Sequence, residues 1–233
     1  MLPAQTIRSG TKIHTLAATG TFKGFKPETE QKVRKPEIKR DLKLEAIIGK
    51  WKGFLKEFSI LDGTLVGAYQ KAGMMLKDIL VTKNDVEAFS IVLADFQDEE
   101  NFRQKAGLFL SAMVNNAQGN GFIIHTKHLS RKIDMLGYNC VKEVRVDGDI
   151  GDFVGYANAG GIITIAGDTG RSAGFSMTSG IIRIMGQVGD EAGWGMKGGE
   201  LHIGPMPYGR RRILHKCFVH GRIYSEGKLV CEK

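Results

Sequence analysis

The chain of 233 residues is poor in cysteine and proline, and it contains no long apolar run. Its three cysteines, Cys140, Cys217 and Cys231, are odd in number and lack any C-x-x-C spacing, which argues against a disulfide framework and against zinc-ribbon ligation. No stretch approaches the ~18 consecutive apolar residues that span a bilayer, and Met1–Gly10 lacks the apolar segment of a signal peptide. A cytoplasmic protein without membrane contact is therefore expected. No Ser-His-Asp, Cys-His-Asn or paired-carboxylate arrangement stands along the chain to assign an acid, a base and a nucleophile. Negative charge is also short, with a formal net charge of +8. The excess is concentrated before Asn84, above all between Lys23 and Lys56, so it is a local property and not a basic surface of the kind nucleic acids select.

What the sequence has in abundance is glycine, 31 residues of it, and most of the order lies in how those glycines repeat. Gly148, Gly167 and Gly186 fall 19 residues apart, and so do Gly151, Gly170 and Gly189, then Gly155, Gly174 and Gly193, then Gly161, Gly180 and Gly199. Between the glycine groups lie short alternating strands. Val144, Ile163, Ile182 and Leu201 form one apolar column, Val146, Ile165, Ile184 and Ile203 another, and Thr164, Arg183 and His202 alternate between them. A strand of four or five residues has one apolar face that it cannot bury alone, so a recurring unit of this length winds into coils whose strands stack in a parallel ladder. Glycines at the corners then supply either positive φ or backbone packing with no room for a Cβ. Tyr156, Phe175 and Trp194 form an aromatic column, and Met177 and Met196 a further one. The expectation is a right-handed parallel β-helix from residue 141 onward, the hand being the usual one for parallel crossovers.

The pattern G-x-x-G-x-x-x-G, then x-x-M-x-x-G-G and an apolar strand, is carried by Gly167, Gly170, Gly174, Met177 and Gly180, and again by Gly186, Gly189, Gly193, Met196, Gly198 and Gly199. It resembles the GXGXG domain found at the C-terminus of the glutamate synthase large subunit and as a separate subunit of formylmethanofuran dehydrogenase. The first copy departs by placing Asn158 where the methionine would stand. The resemblance covers the last two-fifths or so of the chain. It implies a structural block that packs against catalytic domains, the chemistry residing in amidotransferase, flavin, molybdopterin or metal-hydrolase parts outside this sequence.

Ahead of the repeats, residues 1–43 read as a basic extended arm or linker. Glu28 to Lys43 is almost wholly charged and interrupted at Pro36, and it has too little apolar surface to order itself. Lys32, Arg34, Lys35, Lys39, Arg40 and Lys43 would make it a tether for an acidic partner, and nucleic acid is expected only through this arm. Residues 44–140 read as a mostly helical domain. Ile47, Ile48, Trp51, Leu55 and Phe58 mark one helix, and Leu65 to Leu80 a second. A third starts at an Asn84 N-cap with Glu87 at its third position, and a fourth carries Phe102, Ala106, Phe109, Leu110 and Met113 inward. Phe122 to Thr126 reads as a strand, and Leu129 to Leu136 as a further helix closed by Gly137. The fold class is α+β, helices first and solenoid after.

Chemistry-bearing residues are few. His125 and His128 lie three apart with no third ligand nearby, and His215 and Cys217 would share a strand face with His202 or Cys231 in reach of a soft metal. For both pairs a structural role is the preferred reading. Arg210, Arg211 and Arg212 would suit an anion or a carboxylate-rich partner. The glycine groups open no helix, so no nucleotide site and no cofactor is expected. The leading expectation is a non-catalytic scaffold, a homo-oligomer or a subunit of a larger redox or amidotransferase-type complex. The alternative is a small enzyme with its site where the helical domain meets the first coil.

Overall fold

The structure is a computed structural model that describes residues 41–57, 64–204 and 219–233. Asp41–Lys233 forms one compact unit. Most of the basic arm, together with Phe58, Arg210 to Arg212, His215 and Cys217, lies outside the described residues. Among the described residues no helix is long and apolar enough to cross a membrane.

Among the described residues four helices come first. In α1 (Leu42–Glu57) the side chains of Ile47, Trp51 and Phe54, at i, i+4 and i+7, are fully buried. α2 (Leu65–Met75) begins at Thr64, whose Oγ1 accepts the Gly67 N–H at 3.1 Å, and it stops at Met75 without reaching Leu80. Beyond it Leu76 still donates its N–H to Ala72, but Ile79 then bonds back to the Leu76 carbonyl and turns the chain away. α3 (Lys83–Val92) starts earlier than an Asn84 cap would place it. Thr82 is the cap, its backbone N–H donating to Asp85 Oδ2 at 2.7 Å, and Lys43 pairs with the same carboxylate. A 3-10 turn (Leu93–Phe96) follows, then α4 (Phe102–Asn116). Phe102, Ala106, Phe109, Leu110 and Met113 all face inward as their spacing implies, and Leu108 and Ala112 are buried too. α4 is thus the central helix, with α1, α2 and α3 against it. Trp51, Phe54, Phe89 and Phe109 meet ring to ring at 5.3–6.0 Å around it.

The solenoid follows as one sheet in sequence order, β1 (Phe122–His125), β2 (Glu143–Asp147), β3 (Ala159–Ile165), β4 (Ser179–Ile184), β5 (Lys197–Ile203), β6 (His220–Ser225) and β7 (Lys228–Glu232). β1 to β6 are parallel, and the register stacks Phe122, Val144, Ile163, Ile182, Leu201 and Ile223 in one internal column. All six are essentially buried, while Thr164, Arg183 and His202 stand half-exposed on the outer face. The strand facing read from the sequence is the observed one. β7 runs antiparallel to β6 and folds back as a hairpin, so the open strand edge at that end meets the chain's own last residues.

The solenoid starts one coil earlier than residue 141. β1 is its first rung, and no helix runs from Leu129 to Leu136; these residues make the corners of that first coil. Gly137 does take positive φ, at 78°, but as a corner glycine and not as a helix terminus. The reason the period hid this coil is an insertion: β1 to β2 is 22 residues between paired positions Phe122 and Val144, against 19 between Val144 and Ile163. Buried apolar residues run without a break from Ile47 in α1 to Cys231 in β7. Gly107 of α4 lies directly against the Asp134 backbone, where a Cβ would collide with the carbonyl, so the central helix and the first coil share one core.

Candidate functional site

Each coil corner is built from an alternation of backbone handedness. Phe153, Gly155 and Ala157 take positive φ, and so do Ser172, Gly174 and Ser176, then Glu191, Gly193 and Gly195. Only one of the glycine columns at these corners, Gly155, Gly174 and Gly193, is left-handed throughout (φ 67°, 71° and 76°). Gly148 is left-handed at φ 135°, but Gly167 and Gly186 below it are not. Gly151, Gly170 and Gly189 are not left-handed either, and there the positive-φ explanation gives way to contact. A Cβ on Gly170 would lie 2.7 Å from the Gly151 carbonyl carbon, and one on Gly189 would lie 2.5 Å from the Gly170 carbonyl.

Carboxylates tie these corners together. The Asp168 N–H donates to Asp149 Oδ1 at 2.9 Å, and the Gln187 N–H to Asp168 Oδ1 at 2.8 Å. A second ladder runs from Asp134, which accepts the Asp152 N–H at 2.8 Å, to Asp152, which accepts the Arg171 N–H at 2.8 Å. Asp134 is buried and also takes Arg103 Nη2 of α4 at 2.7 Å, fastening the helices to the first coil. Burial pushes its carboxyl above the ordinary value, against the lowering pull of the Asp152 N–H and Arg103.

Of the histidines proposed as ligands, the described ones, His125, His128 and His202, are engaged locally. His125 Nε2 lies 3.0 Å from Glu87 Oε1 of α3, and its Nδ1 lies 3.5 Å from Asp147 Oδ2. Asp147 also holds Lys127 at 2.7 Å; that ammonium first, and His125 after it, keep the carboxyl below its ordinary range. His128 Nε2 is 3.1 Å from the Ile91 carbonyl at the end of α3. The two rings serve separate contacts, and among the described residues no group of three or more His, Cys, Asp or Glu is placed to hold a metal. His202 is not drawn toward Cys231 chemistry: its ring stacks on Tyr224 (4.5 Å between centroids, 9° apart) and meets Glu200 at 2.9 Å. Cys140 is buried, donates to the Lys142 carbonyl at 3.3 Å, and burial pushes its thiol up, so it fills the column that Asn158, Met177 and Met196 continue. Asn158 replaces methionine there without an orphaned amide, since its Nδ2 donates to the Gly161 carbonyl and its Oδ1 accepts the Gly161 N–H.

Between the loops that follow β1, β2 and β3 there is a cleft of about 310 Å³ lined by Thr126, Lys127, Leu129, Lys132, Gly148 and Asp149, among others, none of them from a helix. Neither His125 nor His128 lines it. Its lysines are already matched, Lys127 to Asp147 and Lys132 to Asp149 at 3.0 Å. The Thr126 hydroxyl is buried against Gly148.

The outer corner offers a larger feature. Val154, Ala173 and Ala192 point into the core, and two residues later Tyr156, Phe175 and Trp194 point out. The rings form an edge-to-face ladder, Tyr138 to Tyr156 at 5.3 Å and Tyr156 to Phe175 at 5.1 Å, with Phe153 against Phe175 at 5.7 Å. Tyr69 of α2 extends it at 5.1 Å from Tyr138, and Asn115 of α4 donates to the Tyr69 hydroxyl at 2.8 Å. Trp194 ends the column 39% exposed. The 19-residue register does not reach Tyr69 or Tyr138. The signal that finds Tyr138 is local: Asp134-Met-Leu-Gly-Tyr matches Asp152-Phe-Val-Gly-Tyr at a spacing of 18.

Comparison with family models, with curated proteins and with solved structures finds no match for this chain.

Proposed function

We propose that the protein is a non-catalytic assembly module, a scaffold whose solenoid docks a second copy or a partner subunit through its outer aromatic corner. The observation that carries this reading is the ladder from Tyr69 through Tyr138, Tyr156 and Phe175, with an exposed Trp194 at the next position of the same 19-residue column. Stacked rings presented on a rigid frame lose little freedom on binding and bring large contact area, which is why aromatics concentrate in the centres of interfaces. The buried columns and the carboxylate ladders are fully accounted for by coil geometry.

The glycine and methionine pattern, similar to that of the GXGXG domain, supports a place in a redox or amidotransferase-type complex in the cytoplasm, and the basic segment from Lys32 to Lys43 would tether such a partner. Trp194→Ser is the test, with co-purification and sedimentation compared against the unaltered chain. Loss of association with an unchanged melting transition supports the module. Unaltered association sends the interface elsewhere.

A further inference from the structure

A second surface lies at the C-terminal end of α2, beyond the Tyr69 end of the aromatic ladder. A groove of about 780 Å³ opens there, its apolar wall formed by Met74, Leu76, Ile79 and Leu80, with Gly73 and Asn116 beside them. Met74 is 71% exposed, Leu80 62% and Val66 49%. Isolated apolar side chains are ordinary on a surface, but an exposed methionine and an exposed leucine on the wall of one groove, with Val66 two turns along the same helix, are not. Val66, Gln70 and Met74 are spaced i, i+4 and i+8, so they form one exposed ridge along the helix. Such a ridge is the element that a second helix receives in its grooves.

Charge selects the occupant. Lys77 lines the groove, and Lys83 lies beside Gly119 and Gly121, just beyond Asn116. Neither ammonium forms an ion pair among the described residues. The carboxylate among the described lining residues, Asp78, is held by Lys50 at 2.9 Å, which, with its own backbone contact, keeps it below the ordinary carboxylate range. The groove is therefore apolar within and positive at its rim, and a flexible, polarisable methionine sits at its edge, as on surfaces that accept amphipathic helices. We propose that this groove docks an acidic amphipathic helix of a partner protein, at a site whose lining does not include Trp194.

The probe is a fluorescein-labelled model helix of about 16 residues, with leucines at i, i+3, i+4 and i+7 and glutamates on the flanks. Its counterpart carries lysine in place of every glutamate. Fluorescence anisotropy with the full chain at low salt should give saturable binding of the acidic helix, roughly tenfold or more tighter than the basic one. Met74→Glu should weaken it roughly tenfold, and Lys77→Glu should weaken it and flatten its dependence on salt. Because Met74 is mostly exposed, the fold is retained, and Trp194→Ser leaves peptide binding unchanged while altering assembly. Equal binding of both helices, no binding, or indifference to Met74→Glu would overturn the proposal. So would a Met74→Glu chain that loses self-association, because the groove would then belong to a second copy.

Discussion

Gly49 lies within α1 and Gly170 at a coil corner, and the structure asks opposite things of them. Nothing lies within 4 Å of a Cβ added to Gly49 in α1, so Gly49→Ala should stabilise the protein by up to ~1 kcal/mol through helix propensity. At Gly170 the new methyl would strike the Gly151 carbonyl carbon and the Asp152 carboxylate, and Gly170→Ala should cost roughly 1–3 kcal/mol. Urea denaturation of the two variants checks the contrast, and equal effects would reject coil-on-coil contact as the reason for that column. Asp149 carries a pH dependence of definite sign. The Asp168 N–H, and then Lys132, hold its carboxyl below the ordinary 3.8, so its contribution is present above that value and is lost as pH falls below it through the lowered folded value. Asp149→Ala should therefore be less stable than the unaltered chain at neutral pH, with the difference shrinking as the pH falls below about 3.8. A difference that stays constant down to strong acid would remove the carboxylate from the account. The glycine columns were legible as a repeat, but which glycines are left-handed was not. A Cβ-free position reads the same in sequence whether it is needed for φ or for contact, and the left-handed Phe153, Ser172 and Glu191 carry no glycine to mark them.

At the scale of elements, the strands were the most legible part because burial there is a strict period of two. Ile182 is fully buried in the middle of the internal column, and Ile182→Ala should cost about 2–5 kcal/mol, with little room for the neighbouring coils to relax inward. Thr164, on the opposite face of the neighbouring rung, should tolerate alanine with a change within about 0.5 kcal/mol. Thermal denaturation of the pair measures the facing directly, and a larger loss at Thr164 would mean a one-residue error of register. The first coil was not legible for a physical reason. Leu129, Ile133 and Leu136 are spaced i, i+4 and i+7, as on a helix, and an inserted loop carried β1 out of the 19-residue phase. In the coil Ile133 and Leu136 are buried by turning at successive corners, so the same spacing serves a different path. The α3 boundary slipped for a smaller reason. Thr82 and Asp85 make as good a capping box on paper as Asn84 and Glu87, and the Lys43 pairing with Asp85 is a tertiary contact that no local pattern contains.

At the scale of the molecule, one core joins the helices to the solenoid among the described residues, and two outward features stand apart from it. One is the aromatic corner and the other the α2 groove, and neither needs a catalytic residue to explain it. The candidate ligands His125 and His128 are spent on Glu87, Asp147 and the Ile91 carbonyl, which sequence spacing alone had no means to show because those partners lie on α3 and β2. We propose above that the protein works in association, through the corner where Trp194 is exposed. Sedimentation velocity of the full chain at low micromolar concentration, beside its Trp194→Ser variant, tests it most directly. A species heavier than one chain is expected for the unaltered protein, alone or with a retained partner, and a shift to the monomer for the variant. A strict monomer with no partner, turning over a small molecule, would contradict it.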